Sequence, residues 1–297
     1  MNFADMTAKI ASADGFIAAL DQSGGSTPKA LQGYGVDDSE WEGDEQMFDK
    51  IHEMRCRIVE SPVFNGDRIV GAILFERTME GCNPDGMPIP ERLRSKGIVP
   101  FLKVDKGMHD EADGAQLMKP MPELDAQCAR ARELGVFGTK MRSVIHEADE
   151  TGIAANVRQQ MDFGLQILDN GLVPILEPEV SLKSNSRAQA EALLLANALD
   201  QLERVPEGKQ VMWKLTIPVE PNTYAPLMGH PKVLRVVALS GGYSTEEACT
   251  ELARNKGMIA SFSRGLLQDL RVTQGDAEFD ATLSDAIERI YAASVAG

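Results

Sequence analysis

The run Gln210-Val-Met-Trp-Lys-Leu-Thr-Ile-Pro218 is short and apolar, bounded by Pro206-Glu-Gly208 on one side and ending at Pro218. Such a run reads as a strand. Its single charge, Lys214, is what makes it informative. In a strand covered on both faces an ammonium has to be hydrated, paired or neutralised, because burying a lone charge is very costly. Desolvation and neighbouring cations both lower a lysine's pKa, and the neutral amine that results can attack a carbonyl to form a Schiff base. Taken alone, the lysine is more simply read as a strand-end side chain that snorkels to water. The rest of the chain decides between the two.

Working outward, the same kind of run recurs. Strands are predicted at 15–21, 69–75, 99–105, 136–142, 171–179, 210–218, 233–240 and 258–263. Helical spacing separates them, at about 44–61 (Met47, Ile51, Met54 and Ile58 on one face), 90–96, 120–134, 150–169 and 185–203. Further helices open at Ser244-Thr-Glu-Glu247, which has capping-box spacing, and occupy 276–295. No linker, low-complexity tract or solenoid period interrupts the series. Eight strands alternating with helices in 297 residues predict a single-domain (β/α)₈ TIM barrel spanning 1–297. The alternative, a doubly wound sheet, lacks the GxGxxG turn after the first strand. Position supports the barrel: Asp21, Lys103, Lys140, Glu177, Lys214 and Ser240 all fall toward the C-terminal ends of predicted strands, where this fold builds its active sites.

Composition narrows the function. A net charge of -15 argues against a general nucleic-acid binder and makes a local cluster of cations informative. Cys56, Cys82, Cys128 and Cys249 are widely spaced, without CxxC, and read as reduced thiols. The start, Met-Asn-Phe-Ala-Asp-Met, has no signal-peptide character and no run reaches membrane-spanning length, so a cytoplasmic protein is expected. His52, His109, His146 and His230 are scattered, with no HxH or HExxH, and no metal site or cofactor is expected.

The charged strand ends define a chemistry. Lys103, Lys140 and Lys214 converging on one mouth would press Lys214 toward its neutral form and attract a phosphorylated substrate. The amides of Ser240-Gly241-Gly242 and Ser263-Arg264-Gly265 follow strands seven and eight, where barrels commonly hold phosphate. Carbinolamine formation and dehydration need proton shuttling, which Glu177 and Glu179 can supply as one acid/base group and one partner. Asp21 could take a proton from a substrate hydroxyl and so drive C–C cleavage, with the protonated imine as electron sink. These residues point to a Schiff-base lyase acting on a sugar phosphate.

The motifs Ala19-Leu-Asp-Gln-Ser-Gly-Gly-Ser26, Leu102-Lys-Val-Asp-Lys-Gly107, Thr139-Lys-Met-Arg142, Leu176-Glu-Pro-Glu179, Trp213-Lys-Leu215, Leu239-Ser-Gly-Gly242 and Phe262-Ser-Arg-Gly265 occur in order from about 15 to 270. Together they resemble class I fructose-bisphosphate aldolase, in its bacterial branch. The resemblance implies Lys214 as the Schiff-base lysine, Glu177 as acid/base group with Glu179 and Lys140 positioning it, and Asp21 for the hydroxyl proton. It implies that Lys103 and Arg142 contact the substrate and its phosphate end. Ser240, Gly241, Gly242, Ser263, Arg264 and Gly265 would serve the dihydroxyacetone-side phosphate, and Ser26 and Lys29 the other. The implied substrate is fructose 1,6-bisphosphate, cleaved to dihydroxyacetone phosphate and glyceraldehyde 3-phosphate in glycolysis or gluconeogenesis. A homo-oligomer is what the wider family implies.

Three departures from the animal enzymes stand out. Leu266 occupies the position of an arginine, with Arg264 the neighbouring cation that could supply the charge. Ala30 replaces another arginine beside Lys29. The chain ends Val295-Ala-Gly297 without a terminal tyrosine, and Tyr291, on a predicted helix, reads as packing. The first two departures keep open a Schiff-base aldolase or transaldolase for another sugar phosphate. A non-catalytic phosphate-binding barrel fits less well, since acid, base and nucleophile are all present. Lys106 and Arg77 read as solvated or ion-paired, and Asp105 as a partner for a lysine.

Overall fold

The computed structural model describes residues 1–297. The parallel strands are β1 (Phe16–Leu20), β2 (Ile69–Leu74), β3 (Val99–Lys103), β4 (Gly138–Ile145), β5 (Val173–Val180), β6 (Val211–Thr216), β7 (Val233–Leu239) and β8 (Ile259–Ala260). They pair in that order, with helices between, and wind into a nearly closed (β/α)₈ barrel. No ladder joins β8 back to β1, so the barrel keeps one seam. A two-residue arm, Ala115–Gln116, pairs antiparallel with the far end of β4.

The predicted helices are present, among them Gly43–Glu60, Leu124–Glu133, Glu150–Asp169, Arg187–Leu202 and Asp276–Val295. Ser244 and Glu247 form the expected reciprocal cap on Thr245–Leu252. The helix Thr27–Tyr34, the short helices Glu76–Glu80, Ala225–Met228 and Arg264–Leu267, and the first helix of the chain, Phe3–Ser12, are not among those predicted. The signal for Phe3–Ser12 lies in Asn2-Phe-Ala-Asp5: the Asn2 side chain accepts from the Asp5 amide at 2.9 Å, and the Asp5 carboxylate accepts from the Asn2 amide at 3.0 Å. This is a capping box written with Asn and Asp. The helix sets Met6 and Ile10 against the barrel interior and packs the Phe3 ring at a tilt against Phe137.

Apolar side chains divide into an inner cluster, including Ile17, Val70, Val99, Phe101, Ile175, Met212 and Val237, and a larger outer cluster between sheet and helices. The strand period of two selects which side chains face inward. These inward positions change from apolar to charged as each strand approaches the mouth: Phe101 then Lys103, Gly138 then Lys140 and Arg142, Ile175 then Glu177, Met212 then Lys214. The apolar layer seals the barrel and the next layer forms the site.

Phe101 fills the interior because its neighbours give way. Across the register it faces Gly138, and Gly71 lies on the adjoining strand. A Cβ on Gly138 would sit 2.1 Å from the Val173 carbonyl oxygen and 3.0 Å from the Phe101 ring. The closest contact is backbone, so it cannot rotate away. Gly138→Ala is therefore expected to destabilise the protein by about 1–3 kcal/mol, the usual cost of overpacking. Urea denaturation checks this, and an unchanged midpoint would contradict the packing argument.

Candidate active site

Four side chains, three from strands and one from the residue after β1, make a continuous chain in the barrel mouth. Lys140 Nζ lies 2.7 Å from Asp21 Oδ2 and 3.0 Å from Glu177 Oε2. The other Glu177 oxygen, Oε1, lies 3.2 Å from Lys214 Nζ. Lys140, Glu177 and Lys214 are each no more than 4% exposed. Asp21 follows β1 directly, while the other three are inward residues of β4, β5 and β6. Lys140 and Glu177 are interior to their strands because β4 and β5 continue beyond the site, paired from Arg142↔Glu177 to Ile145↔Val180. Lys214 thus meets a carboxylate directly, and the cation expected beside it, Lys140, shares that same carboxylate.

The electrostatics are those of a compact, alternating cluster. For Asp21 burial opposes ionisation, but the ammoniums of Lys140 and Lys214 outweigh it and hold the carboxyl well below the usual range. For Lys140 burial opposes the charged form, yet Asp21 and Glu177 outweigh it and raise its pKa well above the ordinary lysine value. Lys140 therefore stays an ammonium at every physiological pH.

A second network lines the mouth. Lys103 Nζ donates to Asp105 Oδ1 at 2.6 Å and to the Asp105 carbonyl at 3.1 Å. Asp105 Oδ2 accepts from the Arg142 amide at 3.2 Å, and Arg142 Nε donates to Glu179 Oε2 at 2.5 Å. Glu179 thus contacts Arg142, while Lys140 contacts Glu177. Burial disfavours the Arg142 guanidinium, but Glu179 outweighs it and raises its pKa. These groups adjoin a cavity of about 440 Å³ lined by Ser23, Gly24, Gly25, Lys103, Asp105, Lys106, Arg142 and others. It shares Lys103 and Arg142 with the charge network but does not extend to Lys214. Lys106 is ion-paired, at 3.1 Å from Glu76, and Arg77 lies 4.7 Å over the Phe48 ring.

The two glycine turns follow neighbouring strands. Gly241 and Gly242 carry φ of +60° and +126°, values that L side chains avoid, so only glycines turn the chain here without strain. The turn is tied to the end of Lys214's strand by Arg187, which donates to Tyr243 Oη at 2.9 Å, to Glu191 Oε1 at 2.9 Å, and to the Ile217 carbonyl. Ser263 Oγ accepts from Gln22 Nε2 at 2.5 Å, and Gly265 packs on Thr245. Arg264 is exposed and Leu266 is buried in the core. The Ser26 hydroxyl bonds only within its own turn, to Ser23, and both Ser26 and exposed Lys29 lie outside the lining of the 440 Å³ cavity.

Sequence reading overlooks Gln22, buried Arg55 and the bridging role of Asp105. Arg55 does carry a signal. It lies four residues after Ile51 and three before Ile58, a charge on the apolar face of its helix.

Comparison with known proteins agrees with this geometry. Residues 2–222 match the family model described as fructose-bisphosphate aldolase class-I. Over 288 residues the chain is 54% identical to fructose-bisphosphate aldolase class 1 of Synechocystis, covering 97% of this chain and 96% of that one. Over 284 residues it is 55% identical to the Porphyromonas gingivalis protein of the same name, covering 95% and 96%. Among solved structures, fructose-bisphosphate aldolase from Plasmodium falciparum, crystallised with TRAP and a small-molecule inhibitor, superposes with a TM-score of 0.79 at 20% identity. That comparison covers 99% of this chain and 94% of the other, and shows the shared fold.

Removing Lys140 would leave buried Glu177 and the largely covered Asp21 without their shared cation. Lys140→Met is expected to destabilise the protein by about 3–5 kcal/mol, as breaking a buried pair does. The pH dependence has a definite sign. A depressed carboxylate contributes stability that is present above its ordinary value of 3.8 and lost as pH falls below it. Asp21→Asn should therefore flatten the acid limb of the stability curve. Urea midpoints at descending pH test this, and a limb as steep as wild type would place the lost protons elsewhere. The Asp21–Lys140–Glu177–Lys214 chain in a barrel mouth, with full-length relatives above half identity, leads to one assignment: this chain belongs to the class I fructose-bisphosphate aldolase family.

Proposed function

We propose that the protein cleaves fructose 1,6-bisphosphate reversibly through a Schiff base on Lys214. The observation that carries this reading is the divided Glu177 carboxylate, one oxygen on Lys214 and the other on Lys140. Glu177 can receive the proton that the Lys214 ammonium must lose before it attacks the C2 carbonyl. It can return a proton to the carbinolamine hydroxyl, which leaves as water and yields a protonated imine. Lys140 cannot compete as nucleophile, because Asp21 and Glu177 keep it charged.

Cleavage uses the same groups. Asp21 as carboxylate takes the C4 hydroxyl proton, the C3–C4 electron pair moves into the iminium, and the aldehyde half departs. The resulting enamine is protonated at C3 and hydrolysed, releasing the ketone half and regenerating Lys214. Lys103 and Arg142, fixed by Asp105 and Glu179, would orient the chain of the sugar and its distal phosphate. The turns at Ser240–Gly242 and Ser263–Gly265 would hold the phosphate next to the imine, with Ser26, Lys29 and Arg264 in outer positions.

Borohydride reduction in the presence of dihydroxyacetone phosphate, followed by peptide mapping, tests the nucleophile. The expected result is an adduct on Lys214 that EDTA does not diminish. Lys214→Met should abolish both adduct and turnover. Glu177→Gln should leave a folded enzyme slowed by roughly 10²–10⁴-fold, the usual range for an acid/base group. Near-normal turnover in either variant would remove its assigned role.

A further inference from the structure

Arg55 is 1% exposed, and no carboxylate pairs with it. Its Nη1 donates to Thr78 Oγ1 at 2.7 Å, and its Nη2 to the Gln22 carbonyl at 2.6 Å and to Gln22 Oε1 at 3.1 Å. Its Nε has no partner. A buried guanidinium held by neutral acceptors, with one donor unmet, is an expensive arrangement that an apolar side chain on this helix face would avoid. Burial pulls its pKa down to about 10, against the opposing pull of Asp21, so the group is still charged near neutral pH.

The hydrogen-bond logic gives that charge a use. A guanidinium has donors only, so it must face the oxygen of the Gln22 amide. The Gln22 NH₂ is thereby turned toward Ala19 and Ser263, donating to the Ala19 carbonyl at 3.2 Å and to Ser263 Oγ at 2.5 Å. Ser263 oxygen therefore accepts, which leaves its hydroxyl proton free to donate to an anion. The chain also crosses the seam between β1 and β8, where no ladder holds the barrel closed.

We propose that Arg55 is a positioning residue for the reaction: acting through Gln22, it closes the β1–β8 seam at the mouth and presents the Ser263 hydroxyl as a donor to the substrate phosphate. This rests on the reading above that Ser263 contacts that phosphate. Arg55 touches no reacting atom. Its effect is confined to phosphorylated ligands.

Trapping by borohydride is measured with dihydroxyacetone phosphate and with dihydroxyacetone, which lacks the phosphate, for wild type, Ser263→Ala, Gln22→Leu and Arg55→Met. Each variant should raise the half-saturating concentration of dihydroxyacetone phosphate about tenfold, the scale of one lost hydrogen bond to a charged group, and leave dihydroxyacetone trapping unchanged. The Gln22→Leu/Arg55→Met pair should be no worse than either single change, as expected for members of one chain, and Arg55→Lys should recover part of the loss. Gln22→Leu removes the link without removing the buried charge, so the test survives if Arg55→Met does not fold. If Ser263→Ala weakens the phosphorylated ligand but Gln22→Leu does not, the relay is overturned while the phosphate assignment stands. If Ser263→Ala has no effect, the phosphate assignment fails and the relay with it. Equal losses with both ligands would reduce Arg55 and Gln22 to a structural role and overturn the proposal.

Discussion

One carboxylate placed between two buried ammoniums organises this molecule. Glu177 cannot be ionised in a low-dielectric interior without cations, and Lys140 and Lys214 cannot be charged there without an anion. Asp21 extends the alternation, and its own carboxyl stays ionised because of the lysines. The arrangement divides labour between residues of the same type. Lys140, gripped by two carboxylates, is committed to the ammonium form, whereas Lys214 touches only one of the Glu177 oxygens. On the mechanism proposed above, the proton passes between Lys214 and Glu177 while Lys140 holds the local charge constant.

Such a cluster needs a scaffold that prevents water from entering from below and holds each group at a fixed height. The barrel supplies both. Inward side chains recur at every second residue, so a layer of Phe101, Ile175 and Met212 lies beneath the layer of Lys103, Glu177 and Lys214. The helix Phe3–Ser12 adds Met6 and Ile10 to that apolar floor. Because β4 and β5 continue past Lys140 and Glu177, these two groups are fixed by strand backbone on both sides, unlike Asp21, which sits on the loop after β1. That loop depends on side chains for its placement, and Arg55 and Gln22 provide them.

The mouth is more open, and side chains support it. Lys103 and Arg142 are set by Asp105 and Glu179, and the two glycine turns are braced by Arg187 and Gln22. The arginine position filled here by Leu266 belongs to the core, so this part of the chain contributes packing, and the exposed Arg264 beside it stays in solvent.

The sequence alone determined the barrel and the identity of its charged layer. The strand period of two and the helical spacing are local properties, and a charge in an apolar strand is conspicuous without any structure. Strands ending in Lys103, Lys140, Glu177 and Lys214 must share a mouth once the alternation of strands and helices is recognised. Only the tertiary structure decided who pairs with whom. It gave Glu177 to both lysines and Glu179 to Arg142, because register and strand overshoot set distances that spacing along one chain does not carry; the Lys103–Asp105 pair, two residues apart, is local. It also revealed Arg55 and Gln22, the second of which bonds Ser263 across the seam between the first and last strands. Gln22 and Ser263 lie 241 residues apart in the chain, and no local pattern reports a contact made by closing a ring.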